Sequence, residues 1–267
     1  AEQPPISVYR LSTPGMSYME ALYYMEYLLS HPELKPDLLV LQLNYQAFWQ
    51  AGIRPGMQEL LSDASFREII HQKSSQPGSY SSDFRTAMTQ WEQRSKTSTK
   101  ETEDHQPAGS VIEEETREFL DRWPQFRNRH QQKEEALDFL YRCRLYFLRL
   151  KPSTARSISP VRLEKSQSAF EALLQKCKQN DIQVLLFDAP LNPNVQLYGK
   201  PSDREQYEKY LEQITDQFSL SVHRFHDSIP SEEWGRWFNG PDPLHLSRAG
   251  NLRMANQIYP LMKEHLE

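Results

Sequence analysis

Leu38-Leu39-Val40-Leu41-Gln42-Leu43 is a nearly continuous apolar run, bounded by Pro36-Asp37 and Asn44. A strand with one wet face alternates apolar and polar residues. A strand without that alternation is covered on both faces, as in a parallel sheet. Ile182–Phe187 repeats the pattern and ends at Asp188-Ala189-Pro190. Leu220–Phe225 reads as a further strand. Helical periodicity fills the intervals: Pro160–Gln179, with Leu163, Phe170, Leu173 and Leu174 as its stripe, then Asp203–Phe218, then Ser247–His265. Strands alternating with helices predict an α/β fold with a parallel sheet flanked by helices.

Upstream, Ile6–Leu11 is strand-like and leads into Thr13-Pro14-Gly15. Ser17 and Glu20 have capping-box spacing at the head of a helix with Leu22, Met25, Leu28 and Leu29 on one face. Between Gly52 and Leu150 the character changes. Met57–His71, Glu113–Trp123 and Lys133–Leu150 read as helices, whereas Ser74–Ser82 and Lys96–Ser110 read as loops. With no convincing strand in it, residues 52–150 are expected to be a helical insertion within one domain spanning 1–267.

Composition narrows the function classes. The chain has 267 residues, 38% of them hydrophobic, enough to bury a substantial core. Its net charge is -5 with no basic block, which argues against nucleic acid as a partner. No run of eighteen apolar residues exists to span a membrane. Cys143 and Cys177 lie at apolar positions of helical segments, as buried free thiols do. His223, His226 and Asp227, in and just after the last predicted strand, show no metal-ligand spacing, and neither a metal nor another cofactor is expected. Ala1-Glu2-Gln3-Pro4-Pro5 reads as a flexible lead-in, either following a cleaved signal or anchor or marking an arbitrary boundary.

Ligands of open parallel sheets bind at the carboxyl ends of the strands. Those ends here are Ser12–Gly15, Asn44–Trp49, Asp188–Asn194 and the stretch from His226 to His245. In a nucleophilic hydrolase a histidine takes the proton of a serine, and a carboxylate orients the histidine. Asp242 and His245, three apart on a loop entering the last helix, have the residue types for that pair. Ser247 is placed to cap the helix. On spacing alone the favoured reading of the same segment is a helix-capping loop with a surface aspartate and a buried histidine. Asn44 is an oxyanion donor or a turn residue. Gly15 offers a backbone N–H to an oxyanion or simply makes a turn after Pro14. Asn192 lines a substrate pocket or, the favoured reading, makes a turn in Pro190-Leu191-Asn192-Pro193-Asn194.

Three segments together resemble the SGNH-hydrolase superfamily: Thr13-Pro14-Gly15-Met16-Ser17, Lys35–Asn44, and Asp242-Pro243-Leu244-His245-Leu246-Ser247-Arg248-Ala249-Gly250. They are most similar to its extracytoplasmic DltD-like and polysaccharide acetyltransferase-like branch, as is Pro190–Tyr210 with Tyr198-Gly199 and Tyr207. The resemblance covers about the first 50 and the last 90 residues. It implies a flavodoxin-like three-layer sandwich, with His245 as general base, Asp242 as its orienter, and Gly15 and Asn44 at the oxyanion hole. It also implies an acyl or acetyl ester substrate, such as a cell-envelope polymer, and an extracytoplasmic or membrane-associated location. The family's Gly-Asp-Ser or Gly-Ser-Ser turn and the strand before it are absent from these 267 residues. The nucleophile is therefore expected on an upstream segment, and a membrane-anchored partner is a further expectation. The alternative expectation is a non-catalytic domain that binds a glycan or a protein.

Overall fold

The computed structural model describes residues 8, 16–44, 47–48, 52–78, 80–101, 159–192, 194, 200–225, 228–237 and 240–266, without the side chains of 97–101, 236, 237 and 240–244. The predicted strand Ile6–Leu11, the predicted helices Glu113–Trp123 and Lys133–Leu150, and Cys143 lie outside the described residues. Compact packing divides the chain into Ala1–Trp91 with Arg156–Glu267 as one unit, and Glu92–Ala155 as another.

The first helix, α1 (Tyr18–Leu29), begins as its sequence predicts. The Ser17 side chain accepts from the Glu20 N–H, and the Glu20 carboxylate accepts from the Ser17 N–H at 3.2 Å. Glu20 is 1% exposed and also takes the Arg54 guanidinium, Nε to Oε1 at 2.8 Å and Nη2 to Oε2 at 2.6 Å. The Arg54 N–H adds a third bond at 2.9 Å. One carboxylate thus caps a helix and pins the Gly52–Arg54 loop beside it, every lone pair being used. Gly52 sits at φ +90, a backbone conformation that favours glycine.

Strand β1 (Leu38–Leu43) follows, then α2 (Pro55–Gln58), a 3₁₀ turn at Glu59–Ser62, and α3 (Ala64–Ser74). The single helix expected over Met57–His71 is therefore broken, because Asp63 is extended and caps α3 by accepting from the Phe66 N–H. Helix α4 (Ser81–Glu101) continues through Lys96, where a loop was expected. Charged and Ser/Thr residues can extend a solvated helix once it is nucleated. Met57, Leu61, Phe66, Ile70, Phe84 and Ala87 enter the same core as α1.

The remaining elements are α5 (Pro160–Gln179), β2 (Gln183–Asp188), α6 (Pro201–Phe218), β3 (Val222–Arg224), β4 (Trp234–Trp237), β5 (Gly240–Leu246) and α7 (Arg248–Leu266). β1, β2 and β3 form a parallel sheet in that order, with Leu38 opposite Gln183 and Leu186 opposite Val222. The fold is α/β, as predicted. β4 and β5 form an antiparallel pair that was not foreseen. Side chains alternate across β2: Val184 and Leu186 join the core of α1 and α5, while Phe187 packs with Met254 and Ile258 of α7. Helices therefore cover both faces of the sheet.

Candidate functional site

The sheet brings Asn44 and Asp188 to its carboxyl edge, since Leu43 and Asp188 are register partners at the ends of β1 and β2. The Asn44 N–H donates to the Tyr18 hydroxyl oxygen at 3.3 Å, and the Asn44 carbonyl accepts from the Ala47 N–H at 2.8 Å. Asn44 therefore stands on a turn that the first residue of α1 holds in place. Asp188 is 4% exposed and accepts from the Tyr207 hydroxyl at 3.3 Å. Burial, and then the Asp188 charge, push the Tyr18 hydroxyl far above its ordinary value. Burial does the same to Tyr207. Both phenols stay protonated, Tyr207 as the donor to Asp188 and Tyr18 with its oxygen accepting from Asn44.

Asn192 is 2% exposed, and its Oδ1 accepts from the Asn194 N–H at 3.0 Å. Its oxygen does the turn work that the sequence favoured. Asn194 Nδ2 in turn donates to Ser231 Oγ at 3.1 Å, tying the loop after β2 to the segment before β4. Asp188, Tyr18 and Tyr207 as a polar group were not anticipated as a site. The available signal was a carboxylate closing an apolar strand, where a charge is costly without partners.

His245 is exposed and lies on β5, and Asp242 lies on the same strand. The expected loop before α7 is thus a strand up to Leu246. The reason is the partner strand: β4 supplies a ladder, with Trp234 opposite Leu246 and Arg236 opposite Pro241. Residues three apart on a strand are separated by about 10 Å and alternate in facing. The Asp242 side chain and Gly15 lie outside the described residues, and so does any contact between Asp242 and His245.

After β5, Ser247 caps α7 as predicted, its Oγ accepting from the Gly250 N–H at 3.3 Å. The Ser247 N–H donates to the Glu233 carbonyl at 2.8 Å. Gly250 is required here: a Cβ would lie 2.5 Å from that same Glu233 oxygen. Arg253 clamps the Glu233 carboxylate with two bonds of 2.7 and 2.6 Å. The Gly of the Asp242–Gly250 segment thus has a packing reason independent of any chemistry.

A second serine–histidine–aspartate set is complete in the structure. His31 Nε2 is 3.1 Å from Asp63 Oδ2, and His31 Nδ1 is 2.9 Å from Ser30 Oγ. It lacks the wiring of a nucleophilic triad. Ser30 donates its own proton to the Tyr27 carbonyl at 2.7 Å, and Nδ1 sits 3.0 Å from that same oxygen. With Nδ1–H on that carbonyl the ring has no lone pair for the serine proton; only the tautomer that gives up that bond would have one.

Among the described residues no group of three or more His, Cys, Asp or Glu side chains could hold a metal ion. Among them too, no helix is long and apolar enough to cross a membrane. A cleft of about 10 Å³, room for about one water molecule, is lined by Phe48, Leu163, Asp203, Tyr207 and Tyr210. Neither the protein-family models nor the curated proteins searched give a match to this chain.

Proposed function

We propose that the chain carries the acid–base portion of an SGNH-like serine-ester site of the cell envelope, acting in acyl or acetyl transfer or hydrolysis. His245 is the general base and Asp242 its orienter. Asn44 and Gly15 donate to the oxyanion, and Asn192 shapes the adjoining pocket wall. The serine nucleophile is supplied from outside these 267 residues. Acyl transfer then runs by serine attack on the ester carbonyl, His245 taking the serine proton and returning it to the leaving alcohol.

One observation supports this reading: the run of α7, the helix that follows the His245 segment, along the parallel sheet towards the amino end of β2. α7 packs on β1 and β2, and near its last turn His265 Nδ1 is 3.2 Å from Gln183 Oε1, at the amino end of β2. A nineteen-residue helix is about 28 Å long. Its first turn, next to His245, therefore points to the carboxyl ends of the strands, where Asn44 and Asp188 stand. The Asn194–Ser231 bond supports the same placement.

The odd spacing of Asp242 and His245 on a strand favours a second reading, a non-catalytic domain of the same ancestry that binds a glycan or a protein partner. A serine-reactive fluorophosphonate separates the two. The chain alone is expected to take no stoichiometric label at any serine. Stoichiometric labelling of a serine near His245 would place the nucleophile inside the chain and overturn the assignment to an outside segment. A longer polypeptide carrying a Gly-x-Ser turn should label, and should lose the label in His245→Ala. If that polypeptide does not label either, the binding domain stands and the enzyme reading falls.

A further inference from the structure

His31 lies just past the carboxyl end of α1, where exposed helix carbonyls favour a cation. Its ring is held at both nitrogens. Nδ1 faces the Tyr27 carbonyl at 3.0 Å and Nε2 faces Asp63 Oδ2 at 3.1 Å. The Tyr27 ring packs against it at a tilt of 42°, centroids 4.6 Å apart, and the same Tyr27 ring meets Phe66 edge-on at 5.2 Å. Asp63 divides its oxygens: Oδ2 holds His31, while Oδ1 accepts from the Phe66 N–H at 2.9 Å as the cap of α3. A carbonyl on one side and a carboxylate on the other both require N–H donors, and only the imidazolium has two.

We propose that His31 is a pH-sensitive latch that ties the carboxyl end of α1 to the amino end of α3, closed when the ring carries both protons. With one proton lost, the ring can donate to only one of the two acceptors, the Tyr27 carbonyl or the Asp63 carboxylate, and the other faces a bare nitrogen lone pair. The tie between the two helix ends is thereby loosened, while the Lys73–Glu26 pair still joins α3 to α1. The charges around the ring are accounted for. Asp63 and Glu33 face it and favour the cation. On α3, Arg67 donates to the Leu61 carbonyl and stacks on Trp91, and Lys73 is taken by Glu26 of α1 at 2.6 Å. The Tyr27 carbonyl, with Asp63 and Glu33, holds His31 above its ordinary value, and the Phe66 N–H, with His31, holds Asp63 below its own.

The sign follows from those directions. A raised histidine contributes stability below about pH 6.5 and loses it as pH rises through the folded value. A lowered aspartate contributes above about pH 3.9 and loses it as pH falls. The latch is therefore tightest between those two values and opens on the alkaline side. This device is independent of the role of His245.

The test is an NMR titration of the His31 ring in the intact chain, with amide exchange at Phe66 measured across the same pH range and corrected for intrinsic chemistry. The ring should titrate above an ordinary histidine, and Phe66 protection should fall several-fold through that titration. Asp63→Asn keeps a capping side chain but removes the charge. It should lower the ring's titration point and flatten the protection profile. His31→Gln should flatten the profile as well. A ring titrating at or below the ordinary value overturns the proposal, as does a pH-dependent Phe66 amide that persists in both variants.

Discussion

On the side of α1 and α5 the sheet is closed by rings. Phe170 is fully buried against Tyr18, with centroids 4.7 Å apart, and Phe48 and Tyr210 complete the group. On the side of α7, among the described residues, the buried apolar cluster is Ile229, Trp234 and Met254, with Phe187, Phe225, Leu246 and Ile258 half-covered. Helix α7 buries only Gly250 and Met254 and leaves Leu252 62% and Tyr259 55% exposed. What holds it is a polar clasp around Glu233. A thick apolar face resists local opening, and a thin clasped one opens at lower cost. The thin face carries His245, so the segment with the chemical candidate is also the less firmly anchored one.

Three substitutions put numbers on that difference. Phe170→Ala should have the largest effect, about 3–5 kcal/mol of unfolding free energy in denaturant titration, as for other large-to-small changes in closed cores. A loss below about 1 kcal/mol would mean that the ring cluster does not carry the thick face. Gly250→Ala should cost about 1–3 kcal/mol, because the Glu233 backbone must move to admit a methyl group. Amide exchange should show that loss in α7 and the β4–β5 pair and spare α1; an equal loss in α1 would erase the distinction between the faces. Arg253→Gln should have the smallest effect, since exposed ion pairs contribute little. Arg253 holds the Glu233 carboxyl below the usual carboxylate range, so the difference from the wild-type protein should vanish as pH falls through that range. A difference that persists in acid would show that the clasp is not ionic.

The sequence reveals these two faces unequally. Leu38–Leu43 and Gln183–Asp188 have no period-2 alternation, and both proved to be parallel strands, β2 the central one among the described residues. Ser17 with Glu20, and Ser247 before α7, are caps whose partners lie three residues away, so local pattern sufficed. The break at Asp63 escaped notice because the competing signal, helical periodicity across Met57–His71, continues through it. The β4–β5 pair escaped for a different reason. Gly240-Pro241-Asp242-Pro243 reads as a turn, and proline is tolerated in a strand only at an edge, a condition that sequence alone does not display. The Asp188–Tyr207 contact joins residues nineteen apart across a helix and a strand, a distance no local spacing encodes.

Cys177 lies at 0% exposure on α5, within the thick face, and burial pushes its thiol up to about 12. At neutral pH almost none of it is thiolate while the core stays shut. The sulfur is thus a built-in clock. Its alkylation by iodoacetamide, followed on the α5 peptide by mass spectrometry, counts openings of that core one molecule at a time. It needs no engineered probe, and reagent that reacts with the thin face alone leaves the clock unstarted.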